Sequence, residues 1–131
     1  MSTKVLKFLW IDDMENWARS AQKNLEIIAS KHNRMLKIIN ATNGEDIDII
    51  QKMELYDFDA VIMDYHMDPY NGDKYIKEIR EVEHLELIPI VFYSQDNSTD
   101  LVKLVSGLPN IITVYRPNLE DKLKELFYGK D

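Results

Sequence analysis

Five polar residues stand where short apolar runs stop. Asp12 and Asp13 follow Val5–Ile11, Asp64 follows Ala60–Met63, Ser94 follows Ile90–Tyr93, and Arg116 follows Ile111–Tyr115. Runs of this length bounded by turn residues read as buried strands. If the strands are parallel, their carboxyl ends share one edge of a sheet, where open α/β folds keep their chemistry. Three carboxylates held close together repel one another unless a cation sits among them. Oxygen-only ligands on a rigid edge suit Mg²⁺, which keeps several of its waters. A hydroxyl and a guanidinium on the other side form a receptor for an oxyanion such as a phosphoryl group. These groups suit in-line phosphoryl transfer. Asp64 would attack phosphorus, the cation would neutralise the equatorial oxygens, and Ser94 and Arg116 would hold the remaining ones. Blander readings stand beside this one. The Asp12–Asp13 pair would serve equally as a helix N-cap, Asp64 as a turn residue, Ser94 as a loop hydroxyl, and Arg116 as a surface residue fixed by Pro117.

The elements that would position these groups alternate along the chain. After the first strand, Trp17, Ala18, Ala21, Leu25, Ile28 and Ala29 recur at helical steps, with a predicted end near Lys31 to Asn33. A second strand covers Met35–Ala41, Thr42-Asn43-Gly44 makes a turn, and Ile47, Ile50 and Met53 form the inner face of a second helix. The third strand is predicted over Phe58–Met63, and the third helix over Asp73–Glu83. Pro89 opens the fourth strand, where a missing N–H is tolerated. Asn97-Ser98-Thr99-Asp100 offers N-caps for a short helix bearing Leu101, Val102, Leu104 and Val105, closed by Gly107. After the fifth strand, Leu119, Leu123, Leu126 and Phe127 mark a last helix ending near Gly129. Five strands alternating with five helices imply an α/β fold: a five-stranded parallel sheet, doubly wound, (βα)5. Residues 1–131 are expected to form a single domain, with no second domain, repeat or linker.

Composition narrows the function classes. Hydrophobic residues make up 45% of the 131 and charged residues 30%, a globular balance. There is no cysteine, which excludes a disulfide framework and thiol chemistry. No apolar run approaches the ~20 residues of a membrane span, and the N-terminus lacks the layout of a secretory signal. A cytoplasmic location without membrane attachment is expected. The formal charge of −7 argues against direct, broad binding of nucleic acid.

Taken together, the strand-end residues carry a family resemblance. The acidic pair Asp12-Asp13, Asp64 with Met67 three residues on, Gly72 further along the same loop, Ser94, and the basic–proline pair Arg116-Pro117 stand in order. In this the chain resembles a receiver domain of two-component response regulators, over essentially its whole length. The resemblance implies a flavodoxin-like fold with strand order 2-1-3-4-5. It implies Asp64 as phosphoacceptor, taking phosphoryl from a sensor histidine kinase or a phosphotransfer protein. It implies Mg²⁺ held by Asp13, Asp64 and the backbone carbonyl of His66, with Asp12 holding a metal-bound water. The chain would then be a stand-alone signalling domain rather than an enzyme, catalysing at most its own phosphorylation and dephosphorylation. Its output would pass through a partner protein or a homodimer, using the side made by strand 4, helix 4, strand 5 and helix 5.

The chain departs from the family pattern at four places, and three of them, Arg116, Gln95 and Thr113, motivate an alternative. Arg116 stands where the family has lysine, replacing a compact ammonium by a planar fork. Pro69 comes one residue late, with Asp68 in its usual place. Gln95 follows Ser94 where a small residue is expected, and a bulky side chain there would shield the phosphoryl group. Thr113 occupies a position that is usually aromatic, while Tyr115 lies beside Arg116. The alternative is a degenerate receiver acting as a phosphorylation-independent interaction module. A metal-dependent phosphohydrolase is a third reading; it would want a second aspartate where His66 stands. The side chain of His66 has no assigned role, His32 and His84 fall near predicted helix ends, and Trp10 and Trp17 read as core residues.

Overall fold

The apolar runs pair into one parallel sheet. The structure, a computed structural model, describes residues 4–12, 15–42, 51–53, 57–67, 70–82, 85–96 and 99–128. Its strands are β1 (Lys4–Ile11), β2 (Arg34–Ala41), β3 (Ala60–Asp64), β4 (Ile90–Ser94) and β5 (Ile111–Tyr115). Its helices are α1 (Glu15–Lys31), α2 (the helical residues 51–53), α3 (Gly72–Glu81), α4 (Leu101–Leu104) and α5 (Leu119–Tyr128). The strand order is β2-β1-β3-β4-β5 with every pairing parallel, as expected. Asp13, Asn43 and Gly44 of the expected turn, Ile47, Ile50, Asp68, Pro69, His84, Asn97, Ser98 and Gly129 lie outside the described residues. Among the described residues, no helix is long and apolar enough to cross a membrane.

Each face of the sheet carries its own core because side chains alternate along a strand. Leu6, Phe8, Trp10, Ala60, Ile62, Val91 and Tyr93 face α1 and α5, meeting Ala18, Ala21, Leu25, Leu119 and Leu123. Leu9, Ile11, Val61, Met63, Ile90 and Phe92 face the other way and meet Met53 of α2, Tyr75, Ile76 and Ile79 of α3, and Leu101 of α4. The central strands β3 and β4 are buried at every position. Parallel strands covered on both faces need such continuous apolar runs.

Several boundaries differ from expectation for identifiable reasons. β3 starts at Ala60 rather than Phe58. Asp59 forms a bend: its N–H donates to the Lys7 carbonyl, and its carboxylate accepts from the Lys7 N–H at 2.8 Å. α3 ends at Glu81, where Val82 turns extended, not at Glu83. α1 stops at Lys31, as expected, and the left-handed Asn33 (φ 56°) turns the chain into β2. α4 is a single turn, capped by Asp100 accepting from the Lys103 N–H at 3.2 Å. Leu126 is 38% exposed, so the inner face of α5 is Leu119, Leu123 and Phe127, a clean i, i+4, i+8 stripe. The Phe127 ring lies 4.8 Å from that of Phe8.

One buried cation organises the edge opposite the strand ends. Arg80 of α3 donates to four carbonyls: Pro109 at 3.1 Å, Leu85 at 2.9 Å, Ile88 at 2.6 Å and Asn110 at 3.2 Å. These carbonyls belong to the segments leading into β4 and β5, so a single guanidinium pins the starts of the two strands to α3. A planar fork with five donors suits this task; an ammonium does not. Arg80→Met keeps most of the packing but strips the carbonyls of their donor. It is expected to lower stability by about 3 kcal/mol, read as a lowered midpoint in urea denaturation.

Candidate functional site

The register of the parallel ladder brings the strand ends together. Ile11 pairs with Met63, so Asp12 and Asp64 follow on adjacent strands. Asp64 pairs with Tyr93, and Ser94 pairs with Tyr115, after which Arg116 begins a short 3-10 turn. The site straddles the point where strand order reverses, between β1 and β3, the crevice that open α/β sheets use for ligands. Asp12, Asp64 and Ser94 are all buried. Asp13 lies outside the described residues.

Two carboxylates kept from water need compensating donors. The Asp12 carboxylate accepts a short hydrogen bond from the Tyr93 hydroxyl at Oδ2, and its backbone N–H donates to the Ala41 carbonyl at 3.1 Å. Asp64 Oδ1 accepts from the backbone N–H of His66 at 3.3 Å. The backbone of His66 thus lies at the acceptor candidate, while its imidazole is exposed and packs edge-on against Tyr65. Tyr93 is fully buried. Its hydroxyl also accepts from the Trp10 indole N–H at 3.2 Å. Burial, then the charges of Asp12 and Asp64, then the bond to Asp12 hold the Tyr93 phenol well above its ordinary pKa. It is a neutral donor that senses both carboxylates.

The β4–β5 side of the site is also engaged. Ser94 Oγ accepts from the Asp96 N–H at 3.0 Å, a local turn contact. Arg116 stacks on the Trp17 ring, with its guanidinium carbon 4.0 Å from the centroid. Its Nη1 donates to Gln95 Oε1 at 2.8 Å. Gln95, expected to act by bulk, is therefore a hydrogen-bond partner of Arg116. Trp17, expected only as a core residue, packs against both Trp10 and Tyr93 and also carries the cation. Thr113 lines a cleft of about 200 Å³ together with Ser94, Asp96, Leu101 and Tyr115. Sequence reasoning missed Tyr93. Its one available signal was a phenol at a position where the apolar run would take any hydrophobe.

Gly72 decides how close α3 comes to this edge. A Cβ there would collide with the Asp64 carbonyl oxygen and lie 3.0 Å from both Met63 Cγ and Phe92 Cε1. The Gly72 N–H donates to the Tyr65 carbonyl at 2.7 Å, tying the start of α3 to the residue after Asp64. Among the described residues no group of three carboxylate or imidazole side chains converges to hold a metal ion. Asp12 and Asp64 offer buried oxygen donors from neighbouring strands, and that donor chemistry fits a hard divalent cation such as Mg²⁺.

The fold is that of response regulator receiver domains. No family model matches the sequence, and no curated protein matches it. The signal receiver domain of a DNA-binding response regulator from Colwellia psychrerythraea superposes with a TM-score of 0.75 at 20% identity, over 94% of this chain and 98% of that one. A phosphorylated cyanobacterial phytochrome response regulator, RcpA, gives 0.76 at 15% identity over 97% and 95%. The response regulator TrrA from Thermotoga maritima, solved in complex with Mg²⁺–BeF, gives 0.67 at 20% identity over 93% and 99%.

The close approach at Gly72 has a measurable consequence. Gly72→Ala must push α3 away from β3 against backbone, since the Asp64 carbonyl cannot rotate aside as a side chain would. A loss of about 2 kcal/mol in thermal or urea unfolding is expected. The conservative helix-favouring substitution Lys77→Ala on the exposed face of α3 should leave stability within about 0.5 kcal/mol.

Proposed function

We propose that this chain is a phosphoryl-accepting signalling domain with Asp64 as the acceptor. The observation that carries the reading is the pair of buried carboxylates, Asp12 and Asp64, ending neighbouring strands at the switch point of a receiver fold. The donor is a phosphohistidine on a sensor histidine kinase or a phosphotransfer protein. An Asp64 oxygen forms the new P–O bond as the donor's P–N bond breaks, and the electron pair stays on the imidazole nitrogen. Asp13, Asp64 and the backbone carbonyl of His66 would hold Mg²⁺, with Asp12 on one of its waters. The ion would supply positive charge to the phosphoryl oxygens. Ser94 and Arg116 are assigned to the remaining oxygens. The Mg²⁺–BeF complex of the Thermotoga neighbour and the phosphorylated state of the cyanobacterial one support this assignment.

The domain, taken as residues 1–131, is proposed to act in the cytoplasm. Its output would pass to a partner protein or a second copy through the β4–α4–β5–α5 side. A specific observation favours a second reading. Arg116 is stacked on Trp17 and bonded to Gln95, an arrangement that suits a phosphorylation-independent interaction module. Intact mass after treatment with acetyl phosphate and Mg²⁺ separates the two. The first reading expects one phosphoryl group on the protein and none on Asp64→Asn. No gain, together with no response to beryllofluoride, selects the interaction module.

A further inference from the structure

Tyr93 is the last residue before Ser94, and its hydroxyl sits between two groups with fixed hydrogen-bond roles. The Trp10 indole can only donate, and it donates to the Tyr93 oxygen at 3.2 Å. The single phenolic proton then goes to Asp12 Oδ2. The chain indole to phenol to carboxylate therefore runs in one direction, and each bond polarises the next. The phenol ring is clamped as well: Trp10 lies 6.5 Å away and Trp17 5.5 Å away, centroid to centroid. Both rings belong to the α1/α5 core, so the hydroxyl has little freedom to move.

A phenylalanine would satisfy the packing at this position equally well. A buried hydroxyl is unfavourable unless both its bonds are made, and here both are. What the hydroxyl adds is a hold on one oxygen of Asp12. A lysine or arginine in its place would cancel the carboxylate's charge. A neutral phenol orients the carboxylate and leaves that charge in place for a cation. We propose that Tyr93, braced by Trp10, is a positioning residue that sets the Asp12 carboxylate for divalent-cation binding. The proposal rests on the reading of this edge as a Mg²⁺-dependent phosphoacceptor site.

The test is a Mg²⁺ titration followed by intrinsic tryptophan fluorescence, with Trp10 and Trp17 both in contact with the Tyr93 ring. The variants are Tyr93→Phe, Asp64→Asn and, as a stability control from the opposite edge, Arg80→Met. The expected result is saturable binding by the wild type and about tenfold weaker binding by Tyr93→Phe, the low end of the loss seen when an outer hydrogen-bond partner of a metal site is removed, since Asp12 would meet the ion through one of its waters. Arg80→Met should lower stability without changing the Mg²⁺ affinity, which is what a purely structural role for Tyr93 would also give. Trp10→Phe, which keeps the phenol but removes its brace, should weaken binding in the same direction by a smaller factor. That variant carries the test if Tyr93→Phe does not fold. Wild-type binding with unchanged affinity in both aromatic variants overturns the role of Tyr93 and leaves the phosphoacceptor reading intact. Absence of any saturable response that Asp64→Asn abolishes overturns both.

Discussion

Carboxylates are held out of water at the end of a sheet whose faces are both covered, and much of the molecule is arranged around that constraint. Asp12 and Asp64 are 4% exposed. A buried carboxylate is strongly disfavoured without donors or an opposite charge. Donors come from the phenol of β4 and the backbone after β3, and the close-packed start of α3 fixes that backbone through the Tyr65 carbonyl. Remove the parallel register and these groups would scatter, because the shared edge is what makes residues from β1, β3 and β4 neighbours.

The two edges of the sheet divide the work. At the amino-terminal edge, Arg80 gathers four carbonyls and gives the α3–β4 and α4–β5 connections a common anchor. At the carboxyl-terminal edge, polar groups are assembled in pairs and short chains, with an arginine stacked on an indole instead of buried in a ring of carbonyls. The first arrangement engages all three nitrogens of a cation with backbone carbonyls. The second sets an acidic locus beside a half-buried cation, Arg116, and this contrast is the electrostatic signature of the molecule.

Much of this was legible in the chain. Mostly apolar runs ending in Asp, Asp, Ser and Arg specify parallel strands and their shared edge, because both the run and its punctuation are local. What was not legible depends on long-range contacts. The bend at Asp59 arises from its bond to Lys7 in another strand, which no window around residue 59 contains. Leu126 follows the helical spacing but falls on the rim, since only the neighbouring sheet decides which three of four apolar positions are covered. Tyr93 and Trp17 looked like filler for the same reason. An aromatic in an apolar run declares its volume, whereas the partner of its polar atom is chosen by the fold. Gly72 was legible as a matching position, but its cause, the carbonyl of Asp64, is a tertiary fact.

α4 is one turn long, with backbone bonds of 3.3 to 3.4 Å at its end and a left-handed glycine, Gly107 (φ 85°), shortly after it. A single turn carries the full entropic burden of nucleation with almost no propagation to offset it. Tertiary packing supplies what propagation does not: Leu101 and Val105 are buried in the core on that face of the sheet. The turn therefore keeps its order only while those two side chains stay seated. Between them Val102, 65% exposed, stands outward, so any shift of Leu101 or Val105 in the core would move an apolar side chain on the surface.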